Sequence, residues 1–495
     1  MPFRSSQRVR PAAAGTLLLL LLVAGCSIPR PDPRTEVSAL APADGWTAGG
    51  EAGGVSDDWI ASFDDPVLDG LVAEAQEANP DLARAAASLS AAVAQARQAN
   101  SALFPRVDLG AGAGQTRFFE LTEEQERLGV SRNQTDLGVS LDLSWELDVW
   151  DRVSDSAEGA ALAARATAAD YAFARQSLAA QVAKGWFQAL TAKRQLELAN
   201  QFVENFKESH RLAEARYRAG DVSAQDSFTA LADLAGARSN AEDALFAARA
   251  AIRSLEVLLG RYPADELAVA GPLERTLPPV PAGLPSSVLE RRPDLIAAER
   301  RVSSAFRLAG AASAARLPRF SLGAAYQTSG ENFGDLFDAP GMLANLGVNL
   351  FQPLFDAGLL RSRFEEAEAG QAAAVAAYRS TALTAFAEVE DTLALEKSLL
   401  AQVDNLALAA ESFEKARRIG EMRYREGETD LTSYLVVQRQ ALQAQADLIA
   451  ARGRLLTNRV DLHLALGGNF ESGPVNDTPA PPPLPSQESP SSKQP

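Results

Sequence analysis

The sequence predicts a mainly α-helical chain with a transmembrane β-strand portion, made by duplicating one helix–strand–strand–helix–helix unit. Three observations predict it. Landmarks recur in one order: Asn79-Pro80-Asp81-Leu82 and Leu103-Phe104-Pro105-Arg106 return as Arg292-Pro293-Asp294-Leu295 and Arg316-Leu317-Pro318-Arg319, an offset of 213. Arg216-Tyr217-Arg218-Ala219-Gly220 and Leu259-Gly260 return as Arg423-Tyr424-Arg425-Glu426-Gly427 and Leu466-Gly467, an offset of 207. Residues 137–149 alternate strictly between apolar and polar, and no proline interrupts Arg152 to Tyr262 or Leu354 to Gly473.

The chain begins with an address. Arg4, Arg8 and Arg10 precede a short apolar run, Leu17 to Val23. Seven residues cannot span a bilayer, which needs about 20, and the layout is that of a bacterial export signal. The run ends in Val23-Ala24-Gly25-Cys26, which resembles the lipobox of bacterial lipoproteins. That likeness implies cleavage after residue 25, with an N-acyl and a diacylglycerol lipid on Cys26 and no other cofactor. Ser27, in place of an Asp, is compatible with sorting to the outer membrane. Nothing after residue 26 is an apolar stretch of helical membrane length, so any crossing must be made by β-strands.

Composition narrows the function classes. Of 495 residues, 46% are hydrophobic and 22% charged, which supports a large core. The net charge is -17, and loss of Arg4, Arg8 and Arg10 with residues 1–25 takes it to -20. A nucleic-acid surface would need a basic stripe. One Cys and two His, His210 and His463, argue against disulfides within the chain and against a zinc site. An enzyme is not expected: Gly110-Ala111-Gly112-Ala113-Gly114 lacks the spacing of a dinucleotide fingerprint, and no nucleophile elbow is present.

Four segments read as strands. Leu137, Val139, Leu141, Leu143, Trp145, Leu147 and Val149 share one face, with Gly138, Ser140, Asp142, Ser144, Glu146 and Asp148 on the other. Val107, Leu109, Ala111 and Ala113 alternate with Asp108 and three glycines. Phe320, Leu322, Ala324 and Tyr326 lead the third strand, and Leu346, Val348 and Leu350 the fourth. Phe118, Phe119, Phe333 and Phe337 lie near the strand ends, placed for an interfacial aromatic girdle or for covering the loops. Four strands cannot close a barrel, whose smallest membrane form has about eight. An open edge in lipid is prohibitive, so strands that cross the membrane require several copies of the chain.

The helices are expected to be long, with breaks at Gly220 and Gly427. Residues 153–218 as one helix would reach roughly 100 Å. Heptad-like seams are expected along Leu231, Leu234, Arg238, Ala241, Leu245, Ala248, Ile252, Leu255 and Leu259. A second runs along Val389, Leu393, Glu396, Leu400, Val403, Ala407 and Ala410, with Arg238 and Glu396 as breaches.

Taken together, the lipobox, the duplicated unit and the paired Pro-Asp-Leu and Arg-Tyr-Arg-x-Gly landmarks resemble the outer membrane factors of tripartite efflux pumps. These are lipoprotein relatives of the TolC channel, among them the NodT type that serves resistance-nodulation-division (RND) transporters. The resemblance covers residues 26–470. It implies a homotrimer whose four strands per protomer form one twelve-stranded barrel, with the long helices forming a periplasmic tunnel. It implies a periplasmic adaptor and an inner-membrane transporter, often of the RND class, as partners, and outer-membrane lipid around the strands. The protein would be a passive exit duct for drugs or other small molecules. It also places Gly220 and Gly427 at helix-hairpin turns near a gate, with Asp226 and Tyr424 as a candidate latch. Thr429 stands where many members carry an arginine, and Ser433 or Val436 where many carry an Asp; Asp430 and Glu428 lie near enough to substitute. The segments expected are a signal peptide 1–25, a lipidated segment 26–66, a first repeat 67–260, a linker 261–284, a second repeat 285–470 and a disordered Pro- and Ser-rich tail 471–495. The competing reading is a lipid-anchored periplasmic coiled-coil scaffold without a channel.

Overall fold

In the computed structural model the described residues are 45–49, 57–275, 277–283, 285–337 and 342–468. The expected signal peptide, Cys26 and the expected tail lie outside them. One unit occurs twice: a 22-residue helix, two strands, a helix of nearly seventy residues and a 35-residue helix. The first copy is α2 (Pro80–Ser101), β1 (Arg106–Arg117), β2 (Asn133–Leu147), α4 (Arg152–Ala219) and α5 (Ala224–Leu258). The second is α7 (Pro293–Ala314), β3 (Arg319–Gly330), β4 (Met342–Phe351), α8 (Leu359–Arg425) and α9 (Leu431–Ala465). Short helices complete the chain: α1 (Pro66–Ala78) and α6 (Pro285–Arg291) lead into the two copies, and α3 (Glu123–Arg127) lies between β1 and β2.

Local chemistry sets these boundaries. Asp65 accepts from the Val67 and Leu68 amides ahead of Pro66, and Asn79 accepts from Asp81 and Leu82 ahead of Pro80. Asn79 also donates to the Leu258 carbonyl at 2.9 Å, so the start of α2 satisfies the end of α5. Gly260 has φ 71° and packs so closely on α1 that an added Cβ would meet the Ala78 oxygen at 2.5 Å. Gly467, 207 residues on, has φ 70° and abuts Arg292 in the same way.

The helical core crosses between the halves, because Leu456 and Val460 of α9 join a cluster built mainly from the first copy. Trp59, Phe63, Trp186, Phe187, Leu190 and Leu255 form one buried cluster, and Leu295, Val302, Val389 and Leu393 another. Residues 261–273 do not dangle between the halves. Glu256 accepts from the amides of Asp265, Glu266 and Leu267, Arg194 donates to the Gly271 carbonyl at 3.1 Å, and Val269 and Leu273 are buried.

Two expected seams are corrected. The buried stripe of α5 runs through Ala230, Leu234, Ala237, Ala241 and Ala248, with Leu231 and Arg238 exposed. Arg238 is therefore no breach; alanines bring the helices closer than leucines would. In α8, Leu399 is buried in place of Leu400. Glu396 is a real polar member of its seam, accepting from Arg459 Nε at 2.9 Å and Asn458 Nδ2 at 3.0 Å.

Candidate functional site

The four strands form one antiparallel sheet in the order β1–β2–β3–β4. Its register aligns the alternation of all four sequences. Leu109 faces Leu141, which faces Tyr326, which faces Ala344. Val107, Leu143, Ala324 and Leu346 form the next row. Directly opposed residues share a face, so one side of the sheet is a continuous apolar wall. The other carries Asp108, Asp142, Ser140, Ser144, Glu146, Ser321, Asn345 and Asn349. A soluble sheet in a helical protein would bury its apolar side under helices. Here Leu109, Leu346, Val348 and Leu350 are exposed, between 63% and 78%. β1 and β4 are each paired on one side only among the described residues.

The strand β2 runs Asn133–Leu147, starting and ending earlier than the alternation of residues 137–149 suggested. Asp148 has turned to cap α4, accepting from the amides of Val153 and Ser154 at 2.8 and 2.7 Å. The Trp150 indole donates to the Pro318 carbonyl at 2.8 Å, tying the first copy to the second below the sheet. Phe333 and Phe337 pack edge to face at 5.9 Å between β3 and β4 and are largely exposed, as is Phe119 between β1 and β2. Among the described residues no helix is long and apolar enough to cross a membrane.

At the far end of the long helices the two turns are built alike. Gly220 has φ 83° and Gly427 φ 79°, the left-handed region that glycine tolerates. The Asp221 amide donates back to the Arg216 carbonyl at 2.9 Å and the Glu428 amide to the Arg423 carbonyl at 2.8 Å. The following helices use one capping pair in opposite senses. Ser223 caps α5, with Asp226 three residues on; Asp430 caps α9, with Ser433 three residues on. Hydrogen bonds from Ser433, its backbone amide first, hold the Asp430 carboxyl below the usual range. Glu428 lies 3.5 Å from Arg423.

Among the described residues Asp226 and Tyr424 of one chain make no hydrogen bond to each other, although the Asp226 charge acts on the Tyr424 phenol. The Asp226 carboxylate accepts from the Ser223 amide and hydroxyl, both at 3.0 Å. The Tyr424 ring is buried at 1% exposure, stacked on Tyr434 at 5.6 Å, and its hydroxyl makes no hydrogen bond of acceptable geometry. Burial pushes this phenol above its ordinary pKa, Arg216 pulls the other way, and the Asp226 charge adds to the rise. The residue that sequence reasoning missed is Arg216. Its guanidinium lies 5.1 Å over the Tyr424 ring and donates to the Tyr424 carbonyl at 2.9 Å. Its signal was its place in the repeated Arg-Tyr-Arg landmark. Arg439 and Asp233, 2.9 Å apart, make a second link between the hairpins. Arg417 lies between Glu414 and Glu421 at 2.9 and 3.1 Å, and Glu414 above all keeps its charge fixed.

A one-sided sheet with two open edges, mounted on helices about 100 Å long, defines a membrane channel assembled from several copies. A family model described as outer membrane efflux protein matches residues 71–261 and 284–468, and the chain belongs to that family. The pyoverdine export outer membrane protein OpmQ of Pseudomonas putida is 31% identical, over 92% of this chain and 97% of its own. The outer membrane protein OprJ of Pseudomonas aeruginosa is 31% identical over 94% and 97%. Among solved structures, the outer-membrane channel OprN superposes with a TM-score of 0.79 at 28% identity, covering 90% of this chain and 99% of its own. The open-state MtrE channel of Neisseria gonorrhoeae gives 0.79 at 25% identity, over 90% and 98%. The protein is an outer-membrane channel-tunnel component of an efflux system, with four strands per protomer of a trimeric twelve-stranded barrel and helices extending into the periplasm.

Proposed function

We propose that the trimer is a passive exit duct, lipid-anchored through Cys26, that receives small molecules from an inner-membrane transporter of the RND class through a periplasmic adaptor. The observation that carries this reading is the sheet. Its apolar wall and its polar wall are separated by register alone, so closing it encloses an aqueous bore lined by Asp108, Asp142, Ser140, Asn345 and Asn349. No chemical step is required of the chain; the driving force comes from the partner. The acidic lining favours cationic and neutral solutes.

The hairpin ends act as the gate. Arg216 and Tyr424 hold the two hairpins of one protomer together, and the unused Tyr424 hydroxyl stays available to Asp226 if the turns shift. Planar-bilayer recording of the purified trimer tests the duct: discrete conductance with cation preference is expected. A protein that is monomeric and soluble after removal of the lipid would overturn it.

A further inference from the structure

The duplication dictates how one protomer meets the next. Adding 213 to residues of the first helix and first strand of a unit, and 207 to those from the second strand onward, maps the first copy onto the second. The structure obeys this mapping in detail. Val107 faces Leu143 in the β1–β2 pair, and their images, Phe320 and Leu350, face each other in the β3–β4 pair. The Trp145 indole donates to the Leu103 carbonyl at 2.9 Å, and its image, Gln352, donates to the image carbonyl, Arg316, at 3.2 Å. Asp151 before α4 and Gly358 before α8 both take positive φ, at 58° and 89°.

One junction has no image within the chain. β2 of the first copy pairs with β3 of the second, Leu143 opposite Ala324 and Asp142 opposite Ala325. Its image joins β4 to the β1 of another copy. We propose that the seam between protomers has this register: Leu350 opposite Ala111 of the partner subunit, Val348 opposite the partner's Ala113, Asn349 opposite the partner's Gly112 and Phe351 opposite the partner's Gly110. The pairing runs from Ala344 opposite the partner's Arg117 to Phe351.

Side-chain size supports the register independently. Toward the Phe351 end of the seam the β4 residue is large and its counterpart small: Leu350 with the partner's Ala111, Val348 with the partner's Ala113, Phe351 with the partner's Gly110, Asn349 with the partner's Gly112; toward Ala344 the sizes even out or reverse, with Gly347 opposite the partner's Gly114 and Ala344 opposite the partner's Arg117. Gly110 and Gly112 thereby acquire a purpose, because they receive Phe351 and Asn349 of the partner subunit on the bore side. A slip of one residue would turn the apolar wall of one protomer inward. A slip of two in one direction puts Phe351 opposite the partner's Asp108 in place of the partner's Gly110.

This inference rests on the closed-barrel reading, and cysteine cross-linking separates the two. Directly opposed Cα atoms lie about 4.5–5.5 Å apart, within reach of a disulfide, whereas diagonal neighbours lie about 7–8 Å apart. The chain has one Cys, Cys26, so introduced thiols are unambiguous. Full-length protein in outer-membrane vesicles carrying Leu350→Cys with Ala111→Cys, oxidised with copper phenanthroline, is expected to give covalent dimers and trimers on denaturing gels. Leu350→Cys with Leu109→Cys, or with Ala113→Cys, is expected to stay monomeric on those gels. Leu143→Cys with Ala324→Cys, the template pair inside one chain, reports that the sheet has formed. Links in either slipped pair, or none between Leu350→Cys and the partner's Ala111→Cys in a protein that remains trimeric and whose template pair links, would overturn the register and leave the barrel standing. No links together with a monomeric mass would overturn the barrel reading itself.

Discussion

The Arg216 guanidinium covers the Tyr424 ring at 5.1 Å and donates to the Tyr424 carbonyl at 2.9 Å, so two hairpins are tied at their tips within one chain. A charged hydrogen bond of this kind contributes about 1.5–3 kcal/mol, and the ring contact about 0.5–1 kcal/mol more. Arg216→Ala is predicted to raise the open probability of the trimer tenfold or more. Arg216→Lys, which keeps the charge and loses the planar stack, should fall between. Single-channel recording checks this, and an Arg216→Ala channel identical to the parent would contradict the assignment.

The four glycines that end long helices differ in what surrounds them. Nothing lies within 4 Å of an added Cβ at Gly220, whereas at Gly260 it would meet the Ala78 oxygen at 2.5 Å. Gly220→Ala is predicted to cost about 1 kcal/mol from its positive φ alone. Gly260→Ala carries the same backbone strain and a clash, and should cost about 2–4 kcal/mol. Thermal unfolding of the two variants in one detergent measures the difference; equal losses would show that the contact with α1 is not tight.

The duplication and the lengths of the helices were legible because prolines, glycines and the Arg-Tyr-Arg landmarks mark boundaries that local chemistry alone decides. The strand alternation was legible for the same reason: one wall meets lipid and the other water, so period two is written without compromise. What was hidden depended on neighbours. Leu231 and Ala230 are both apolar, and only the approach of the packed helices decides that the alanine goes inside. Tyr217 and Tyr424 hold the same place in the repeat, yet one is 47% exposed and the other 1%, because Arg216 and Tyr434 surround only the second. Glu396 read as a flaw until Arg459 and Asn458 arrived from a helix some sixty residues away.

That buried ion pair makes a prediction of its own. Glu396 and Arg459 are 8% and 6% exposed, so removing one leaves the other charged in the core. Glu396→Ala is predicted to cost about 3–5 kcal/mol, while Glu396→Leu combined with Arg459→Met should recover most of the loss. Denaturant unfolding of the parent and the two variants measures this; a double variant no more stable than Glu396→Ala would contradict it.

His463 sets an acid limit. Its ring is stacked on Trp59 at 5.6 Å, neither nitrogen has a hydrogen-bond partner among the described residues, and burial, with Arg459 nearby, lowers its pKa to about 3. The ring is neutral when folded and takes a proton near pH 6.5 when unfolded. Its contribution is therefore intact above about pH 6.5 and lost as pH falls toward 3, at up to about 1.4 kcal/mol per unit. His463→Leu should unfold less readily than the parent at pH 4.5, by about 2–3 kcal/mol relative to their difference at pH 8. Parallel melting curves at the two pH values check it, and an unchanged difference would contradict it.

The central claim is that four strands are one third of a closed wall. Native mass spectrometry of the full-length protein, released from mild detergent without cross-linker, tests it most directly. Three copies per particle, dissociating to single chains only on heating, is the result expected here. A particle holding one copy, with its strands still folded, would contradict the account.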